Sequence, residues 1–406
     1  MLTVLIVFAL INTSESLAFC LPLLVSSFNV PLSRDSLAAG MDLGGTSIKA
    51  GLVTEEGVIA ATHIEPLPGR TPEDVLASFT RAIEYFVAAN HITSVTDLLA
   101  AGVCAPGECE SDTGMVHNLT NFTNWRSVPL APYISDIIKR PVALVNDGDA
   151  ACVGEWWAAS QSLNKAHAEA TAAAKAADAA VTKHKELANM CLLTLGTGVG
   201  CGIVSDGSLV RGMGMAAEFG HILVVDPLSP LVAHPPPALR ASAHYLAAEP
   251  CNCGQHGCLE KYTGADGITR LTATKAVDLI DGRTTAPWLE AAAAEKAVAS
   301  SPLLQSLAAK AAHFRSQNAA DNATFDGARA AMRADLKVEA VFAAARGGDP
   351  FALFIEDTVA ALLAVSVLTL VRTMDTQAVY FGGGASLAGG APFVDKIRKV
   401  RYRNGS

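Results

Sequence analysis

Hydrophobic and polar positions alternate in short, regular runs from residue 38 onward. Residues 38–53 form the pattern of a strand, a glycine turn and a second strand, and residues 55–57 (Glu-Glu-Gly) close a hairpin. Residues 71–74 are typical of a helix start, because Thr71 can cap the helix, Pro72 suits its first position and two acids follow. Further strand-like runs occupy residues 98–104, 142–145, 191–195, 202–204 and 378–381. Strands that alternate with helices in this way predict an α/β fold.

One strand–turn–strand pattern occurs twice. Residues 43–57 run from a Gly-Gly-Thr turn through a strand to an acidic glycine turn, and residues 195–207 repeat that order from a Gly-Thr-Gly turn. Two copies of one hairpin indicate two related α/β lobes with a cleft between them. The sequence thus predicts an N-terminal lobe over residues 37–145 and a C-terminal lobe over residues 146–406.

Three stretches have the composition of insertions. Residues 158–185 and 284–345 are rich in alanine and are predicted to be helical, whereas residues 226–249 are rich in proline and alanine and are predicted to form a loop. We expect all three to be peripheral, without a catalytic role. The apolar run at residues 358–371 is shorter than the ~20 residues of a membrane span, so it predicts a buried helix.

Composition narrows the class of partner. The 406 residues carry a formal net charge of −9, which argues against a nucleic acid or an anionic membrane as the main partner. Residues 1–36 are expected to be either a targeting segment or an extension of the gene model. They begin apolar and then turn small and polar, like a secretory signal, but they lack the usual Lys/Arg region. Residues 17–19 (Leu-Ala-Phe) also resemble the cleavage box of bipartite plastid presequences in some algae.

Three glycine turns have the chemistry of phosphate-binding loops. In the first, glycine lets backbone N–H groups approach phosphate oxygens closely, and the preceding Asp42 can orient the ligand shell of Mg²⁺. The second lacks the strand–glycine–helix order of a dinucleotide site, because another strand follows it. The third ends a strand and can support a nucleotide base and ribose. The candidate residues are Asp42, Gly44, Gly45 and Thr46 in the first glycine turn, Gly196, Thr197 and Gly198 in the second, and Gly382, Gly383 and Gly384 in the third.

A candidate catalytic carboxylate follows another strand. Asn146 and Asp147 come directly after residues 142–145, at a carboxyl end where the sites of α/β proteins collect. A carboxylate there can accept the proton of an attacking hydroxyl, while the adjacent amide fixes a sugar. Asn-Asp-Gly is also a common turn, so this pattern alone leaves a structural role open.

A cysteine cluster points to a metal. Three of the nine cysteines are crowded together, at Cys251, Cys253 and Cys258. An odd number of cysteines with one tight cluster fits metal ligation in a reducing compartment better than a disulfide framework. Three thiolates and the imidazole of His221, about 30 residues earlier, make the closed tetrahedral set of a structural zinc site. Glu218 and Glu260 flank this set and can hydrogen-bond sugar hydroxyls.

These motifs, in this order, resemble the ROK family of sugar kinases and repressors. The resemblance covers residues 38–395 apart from the insertions, and it includes the segments 102–107 and 121–125. It implies a two-lobed actin/hexokinase-like (ribonuclease H-like) ATPase fold with a central cleft and a zinc knuckle. It implies Asp147 as catalytic base and the glycine turns as ATP sites. It also implies sugar contacts at Asn121, Asn146, Glu218, His221 and Glu260, and zinc ligands at His221, Cys251, Cys253 and Cys258.

The implied activity is phosphorylation of a hexose by MgATP, with glucose at O6 as the first choice. N-acetylmannosamine and fructose remain alternative substrates, and ATP, Mg²⁺ and a structural Zn²⁺ are the implied cofactors. A catalytically inactive sugar-binding or regulatory protein is the alternative class. A DNA-binding repressor would need a helix-turn-helix domain before residue 38, where the sequence is short, apolar and almost uncharged.

The sequence departs from the family pattern in two places. The insertion at residues 226–249 separates His221 from the cysteines, and the chain ends soon after the third glycine turn, so we expect a truncated C-terminal lobe. Asn118 and Asn121 are each the first residue of an N-glycosylation acceptor sequence, and both lie in the segment expected to contact the sugar. An oxidising lumen would in addition oxidise the thiolates that bind zinc. We therefore expect a cytoplasmic enzyme, or one in the plastid stroma, without stable membrane association. The family is also compatible with a homodimer.

Overall fold

The chain forms two compact units, and the first extends beyond residue 145. The computed structural model describes residues 11–12, 16–17, 37–54, 57–117, 119, 122–176, 186–212, 216–225, 246–289, 293–317 and 325–400. The first unit comprises Met1–Leu192 and Gly202–Ala217, and the second comprises Leu193–Cys201 and Glu218–Ser406. The cleft expected between two lobes stays a prediction.

The first unit is built on a five-stranded mixed sheet. The first unit contains the strands β1 (Ile11–Asn12), β2 (Ser16–Leu17), β3 (Ala38–Leu43), β4 (Ser47–Val53), β5 (Ile59–Pro66), β6 (Ala101–Ala105), β7 (Cys109–Glu110), β8 (Met115–Val116) and β9 (Val142–Asn146), of which five form this sheet. The main sheet has the order β5-β4-β3-β6-β9. Strands β3, β4 and β5 pair antiparallel, whereas β3, β6 and β9 pair parallel. Two further pairs, β1 with β2 and β7 with β8, are antiparallel. The carboxyl ends of β3, β6 and β9 therefore share one edge of the sheet.

Helices cover this sheet because they bury their apolar faces against it. The helices of the first unit are α1 (Pro72–Ala88), α2 (Leu130–Ile138) and α3 (Asp147–Ala176), with a 3₁₀ turn at Val95–Asp97. The predicted start of α1 is confirmed, since the Thr71 side chain accepts from the Asp74 N–H at 3.3 Å. Phe79 and Phe86 are fully buried on one face of α1, which packs against β4 and β5, while α2 packs against β9.

A second sheet carries the repeated hairpin. Its strands are β10 (Met190–Leu195), β11 (Val199–Ser205), β12 (Ser208–Leu209) and β13 (Ala378–Gly382). They lie in the order β12-β11-β10-β13, and β11 pairs antiparallel with β12. The strands predicted at residues 191–195, 202–204 and 378–381 are thus confirmed.

The second unit contains the remaining helices. Its helices are α4 (Glu260–Thr263), α5 (Ala265–Ile280), α6 (Ala294–Ala299), α7 (Pro302–Gln317), α8 (Phe325–Arg333), α9 (Val338–Arg346), α10 (Pro350–Met374) and α11 (Gly384–Val400), with a 3₁₀ turn at Phe219–His221. Helix α11 is kinked at Gly390, which has a φ of +66°, two residues before Pro392. Helices α9, α10 and α11 pack on one another, and α5 contacts α6 to α10.

Helix α10 is long and apolar. The Asp349 side chain caps it by accepting from the N–H groups of Phe351 and Ala352 at 3.0 Å. By length and composition alone it could span a membrane, yet residues such as Ile355 and Leu363 are fully buried in the protein. The prediction of a buried helix at residues 358–371 is confirmed.

The predicted insertions are partly described. The helical prediction for residues 158–185 is confirmed up to Ala176, where α3 ends, and residues 177–185 lie outside the described residues. Residues 284–345 contain α6, α7, α8 and all but the last residue of α9, although residues 284–289 form no helix. Of the predicted loop at 226–249, only residues 246–249 are described, and they belong to no helix or strand.

Candidate active site and metal cluster

The first glycine turn connects β3 to β4 and leaves open space above its backbone. The Gly44 N–H donates to the Ser47 carbonyl oxygen at 2.9 Å, which closes the turn. Nothing lies within 4 Å of the position that a Cβ atom of Gly45 would take. Thr46 is exposed beside it. A phosphate group can therefore approach the backbone here without meeting a side chain.

Asp42 stands at the end of β3 between two donors. Its Oδ2 lies 3.7 Å from Lys49 Nζ, and the Cys104 thiol donates to Oδ1 at 3.4 Å. Burial raises the pKa of Asp42, while Lys49 and Cys104 act against that shift. Burial and the charge of Asp42 hold the pKa of Cys104 well above its usual range, so this thiol stays protonated and remains a donor. A carboxylate beside an open turn is a ligand of the kind that Mg²⁺ takes.

Asp147 is the first residue of α3 and is exposed at the carboxyl end of β9. The preceding Asn146 is fixed at both ends of its amide. Its Nδ2 donates to the Gly107 carbonyl oxygen at 2.9 Å, and its Oδ1 accepts from the Gly148 N–H at 2.8 Å. The Gly148 N–H also lies 2.8 Å from Asp147 Oδ1. The start of a 30-residue helix favours negative charge and so favours the ionised form of this carboxylate, which is the form that can accept a proton.

Asn121 lies outside the described residues, and its sugar contact stays a prediction. The residues that follow it are anchored in the core of the first unit. Phe122 and Trp125 are buried with their rings 5.6 Å apart, and Trp125 Nε1 donates to the Val116 carbonyl oxygen at 3.1 Å.

The second and third glycine turns lie against each other. The second joins β10 to β11, and the third begins at Gly382, the last residue of β13. A Cβ atom at Gly383, which has a φ of +85°, would lie 2.6 Å from the Leu195 carbonyl oxygen. Only glycine allows this approach of two backbones. Cβ positions at Gly196 and Gly384 meet nothing within 4 Å. Both turns therefore present open backbone.

Backbone pairing brings His221 to the cysteines in spite of the long sequence between them. Leu223 forms an antiparallel bridge with Cys258. Gly257 has a φ of +87°, and a Cβ atom there would lie 2.1 Å from the Val225 carbonyl oxygen. The segment after His221 is thus bound directly to the cysteine loop, so the insertion between them does not separate the predicted ligands.

The four predicted metal ligands form one cluster. The ligand atoms of His221, Cys251, Cys253 and Cys258 all lie within 4.8 Å of one another. Cys251 Sγ lies 3.4 Å from His221 Nδ1, and Cys253 Sγ lies 3.6 Å from Cys258 Sγ. In a tetrahedral site with zinc–sulfur bonds of ~2.3 Å, neighbouring ligand atoms are about 3.7 Å apart. The spacing and the donor set therefore fit Zn²⁺.

Two carboxylates border the cluster. Glu260 Oε1 lies 3.1 Å from Cys251 Sγ and 3.0 Å from Lys261 Nζ. Glu218 Oε2 lies 3.8 Å from His221 Nε2. Both acids are placed by the cluster and can accept hydrogen bonds from hydroxyl groups.

The candidate residues thus form two groups, one in each unit. Asp42, the first glycine turn, Asn146 and Asp147 belong to the first unit. The second and third glycine turns, the two bordering acids and the metal cluster belong to the second.

Comparison with known proteins identifies the family. Residues 38–167 and 165–402 match the ROK family. The chain belongs to the ROK family. A glucokinase of Halalkalibacterium halodurans is 30% identical over 357 residues, which are 87% of this chain and 82% of that protein. An N-acetylmannosamine kinase of Citrobacter koseri is 28% identical over 230 residues, which are 56% of this chain and 61% of that protein.

The fold agrees with this membership. The crystal structure of a ROK family glucokinase from Streptomyces griseus in complex with glucose and AMPPNP is similar with a TM-score of 0.52 and 25% identity, and the match covers 91% of each chain. The predicted ROK sugar-kinase fold of the actin/hexokinase-like class is confirmed. The similarity over most of both chains assigns this member of the family to the sugar kinases.

Two side chains that hold Asp42 of this ROK protein were not predicted from the sequence. In the sheet, Asp42 pairs with Lys49 across the β3–β4 hairpin and with Cys104 on the parallel strand β6. The hairpin register follows from the length of the turn, so the position of Lys49 was available from the sequence. The position of Cys104 depends on which strand lies beside β3. Local sequence patterns do not predict that neighbour.

Proposed function

We propose that this ROK protein is a hexokinase that transfers the γ-phosphoryl group of MgATP to O6 of glucose. The observation that carries the proposal is the exposed carboxylate of Asp147 at the start of α3, beside the fixed amide of Asn146. The glucokinase relative that spans most of the chain supports glucose as the acceptor.

Asp147 acts as the general base. It accepts the proton of the sugar hydroxyl while the hydroxyl oxygen forms its bond to the γ-phosphorus and the bond from that phosphorus to the β-phosphate oxygen breaks. ADP leaves with those electrons. The amide of Asn146 and the carboxylates of Glu218 and Glu260 orient the sugar, since each is fixed by contacts within its own unit.

The glycine turns bind the nucleotide. Backbone N–H groups of the first and second glycine turns donate to phosphate oxygens, and the third supports the adenosine. Asp42 would hold Mg²⁺, which would neutralise the charge that develops on the β- and γ-phosphates. The open Cβ positions at Gly45 and Gly196 support these roles.

The metal cluster would hold a structural Zn²⁺. His221, Cys251, Cys253 and Cys258 would supply four ligands, the number that a closed structural zinc site takes. The ligands need reduced thiols, and none of the eight cysteines in the described part of the chain forms a disulfide. These thiols support the proposal of a reducing compartment, the cytoplasm first and the plastid stroma as the alternative.

N-acetylmannosamine is the alternative acceptor, supported by the kinase of that sugar among the relatives. Fructose is the third. A coupled ADP-release assay with MgATP and a panel of hexoses and N-acetylhexosamines tests the proposal, with product NMR to locate the phosphate. Turnover highest with glucose and a 6-phosphate product are expected. Highest turnover with N-acetylmannosamine would replace the acceptor, and sugar binding without ADP release would favour a regulatory protein.

A further inference from the structure

We propose that the metal cluster holds the second glycine turn in its nucleotide-binding shape, so that loss of the metal weakens nucleotide binding. This inference rests on the proposed function, since it assigns the turn at residues 196–198 to the nucleotide phosphates. It adds a role to the cluster beyond the placing of Glu218 and Glu260.

The first contact runs from the histidine ligand. Gly220 directly precedes His221 in the 3₁₀ turn, and a Cβ atom at Gly220 would lie 2.1 Å from the Val199 carbonyl oxygen. Val199 is the residue that follows the second glycine turn. The backbone that carries one metal ligand is therefore in direct contact with the end of this turn.

The second contact runs from the cysteine ligands. Cys258 is followed by Leu259, by α4 and by Gly264, which is the N-cap of α5. A Cβ atom at Gly264 would lie 2.7 Å from the Thr197 carbonyl oxygen and 2.9 Å from Gly198 Cα. The turn is thus enclosed by backbone on both sides, and both enclosing segments leave the same metal site.

Two hydrogen bonds orient the peptide groups of the turn. The Ala265 N–H donates to the Gly196 carbonyl oxygen at 2.8 Å, and the Asp266 N–H donates to the Thr197 carbonyl oxygen at 3.2 Å. In a planar trans peptide the N–H of the next residue points away from the carbonyl oxygen. The N–H groups of Thr197 and Gly198 therefore point away from α5. On that opposite side they can donate to phosphate.

The side chain of Glu260 lies between the cluster and the turn. Its Oε1 lies 3.1 Å from Cys251 Sγ, and its Oε2 lies 2.6 Å from the Cβ position of Gly198. One carboxylate thus touches a metal ligand with one oxygen and faces the glycine turn with the other. Without the metal, the four ligands would no longer be bonded to a common ion. The segments that carry Gly220 and Gly264 could then move, and the glycine turn between them would no longer be held in place.

The test measures nucleotide affinity directly, without turnover. Calorimetry measures AMPPNP binding to the full chain in the presence of Mg²⁺ and the absence of sugar. Three samples are compared: the protein with its metal, the protein after a chelator has removed the metal, and the stripped protein after Zn²⁺ has been returned. Metal content is measured on the same samples. We expect AMPPNP affinity to fall at least about tenfold on removal and to recover on return.

Because the stripped protein can unfold, a metal-loaded variant makes the decisive comparison. Gly264→Ala places a methyl group against the Thr197 and Gly198 backbone, and we expect it to retain its metal and its glucose affinity while AMPPNP affinity falls at least about tenfold. Gly347→Ala is the matched control, since its Cβ would lie 3.3 Å from the Ala344 carbonyl oxygen at a helix end. Gly264→Ala with normal metal content and normal AMPPNP affinity would overturn the inference. A loaded wild-type protein that does not bind AMPPNP would instead remove the proposed kinase function, and this inference with it.

Discussion

Replacement of Lys49 by methionine tests how Asp42 is kept ionised. Lys49 Nζ lies 3.7 Å from Asp42 Oδ2, and the two side chains are 30% and 20% exposed. At an effective dielectric constant of ~20, two unit charges at that distance attract by about 4 kcal/mol. Partial exposure and the cost of ordering the lysine reduce the net value, so we expect Lys49→Met to lower the free energy of unfolding by about 1–2 kcal/mol at neutral pH.

The loss should depend on pH in a defined direction. The pKa of Asp42 is raised in the folded protein by burial, so its ionised form costs stability above that pKa and this cost disappears as the pH falls through it. Lys49 offsets the cost only while Asp42 is ionised. The deficit of Lys49→Met should therefore be full at neutral pH and shrink in mildly acidic buffer.

Urea unfolding of four proteins measures this effect: wild type, Lys49→Met, Asp42→Asn and the double variant, each at neutral and mildly acidic pH. In the Asp42→Asn background the lysine has no charge to pair with, so its removal should change stability by less than about 0.5 kcal/mol. A deficit that is equal at both pH values, or equal in the two backgrounds, would refute the assigned role of the ion pair.

Two further predictions concern the second unit. Gly383→Ala should raise the KM for ATP at least about tenfold and leave the KM for glucose unchanged, because its Cβ would lie 2.6 Å from the Leu195 carbonyl oxygen at a φ of +85°; equal KM values for wild type and variant would contradict the close approach. Phe393→Ala should lower the free energy of unfolding by about 3–5 kcal/mol, because this ring is fully buried 4.9 Å from the Phe342 ring. Leu387→Ala on the same helix is the control, and its exposed side chain should leave stability within about 0.5 kcal/mol in the same unfolding experiment; equal losses in the two variants would contradict the assigned packing.

Local chemistry made much of the fold predictable from the sequence. The start of α1 follows from a capping threonine, a proline and two acids within four consecutive residues, and all of these act on the nearest backbone. The buried helix α10 follows from an apolar run that is too short for a membrane span, although the helix extends beyond that run because Asp349 caps it earlier. The predicted hairpins likewise depend on neighbouring residues.

Long-range pairing decided what the sequence left open. His221 lies about 30 residues before the cysteines in the sequence, and the bridge between Leu223 and Cys258 is what brings it to them. The contact of Gly264 with the second glycine turn joins residues far apart in the chain, and no periodic pattern reports it. Strand and helix signals are local, whereas the order of strands in a sheet is set by the packing of the whole unit.

The most direct test of the central claim is the turnover of Asp147→Asn with MgATP and glucose. This variant keeps the size of the side chain and removes its ability to accept the proton. Asp136→Asn, on the exposed surface of α2, is the matched control and should turn over at the wild-type rate. We predict that kcat of Asp147→Asn falls by about 10²–10⁴-fold while glucose affinity stays within about tenfold. A kcat within about tenfold of wild type would contradict Asp147 as the general base and with it the proposed mechanism.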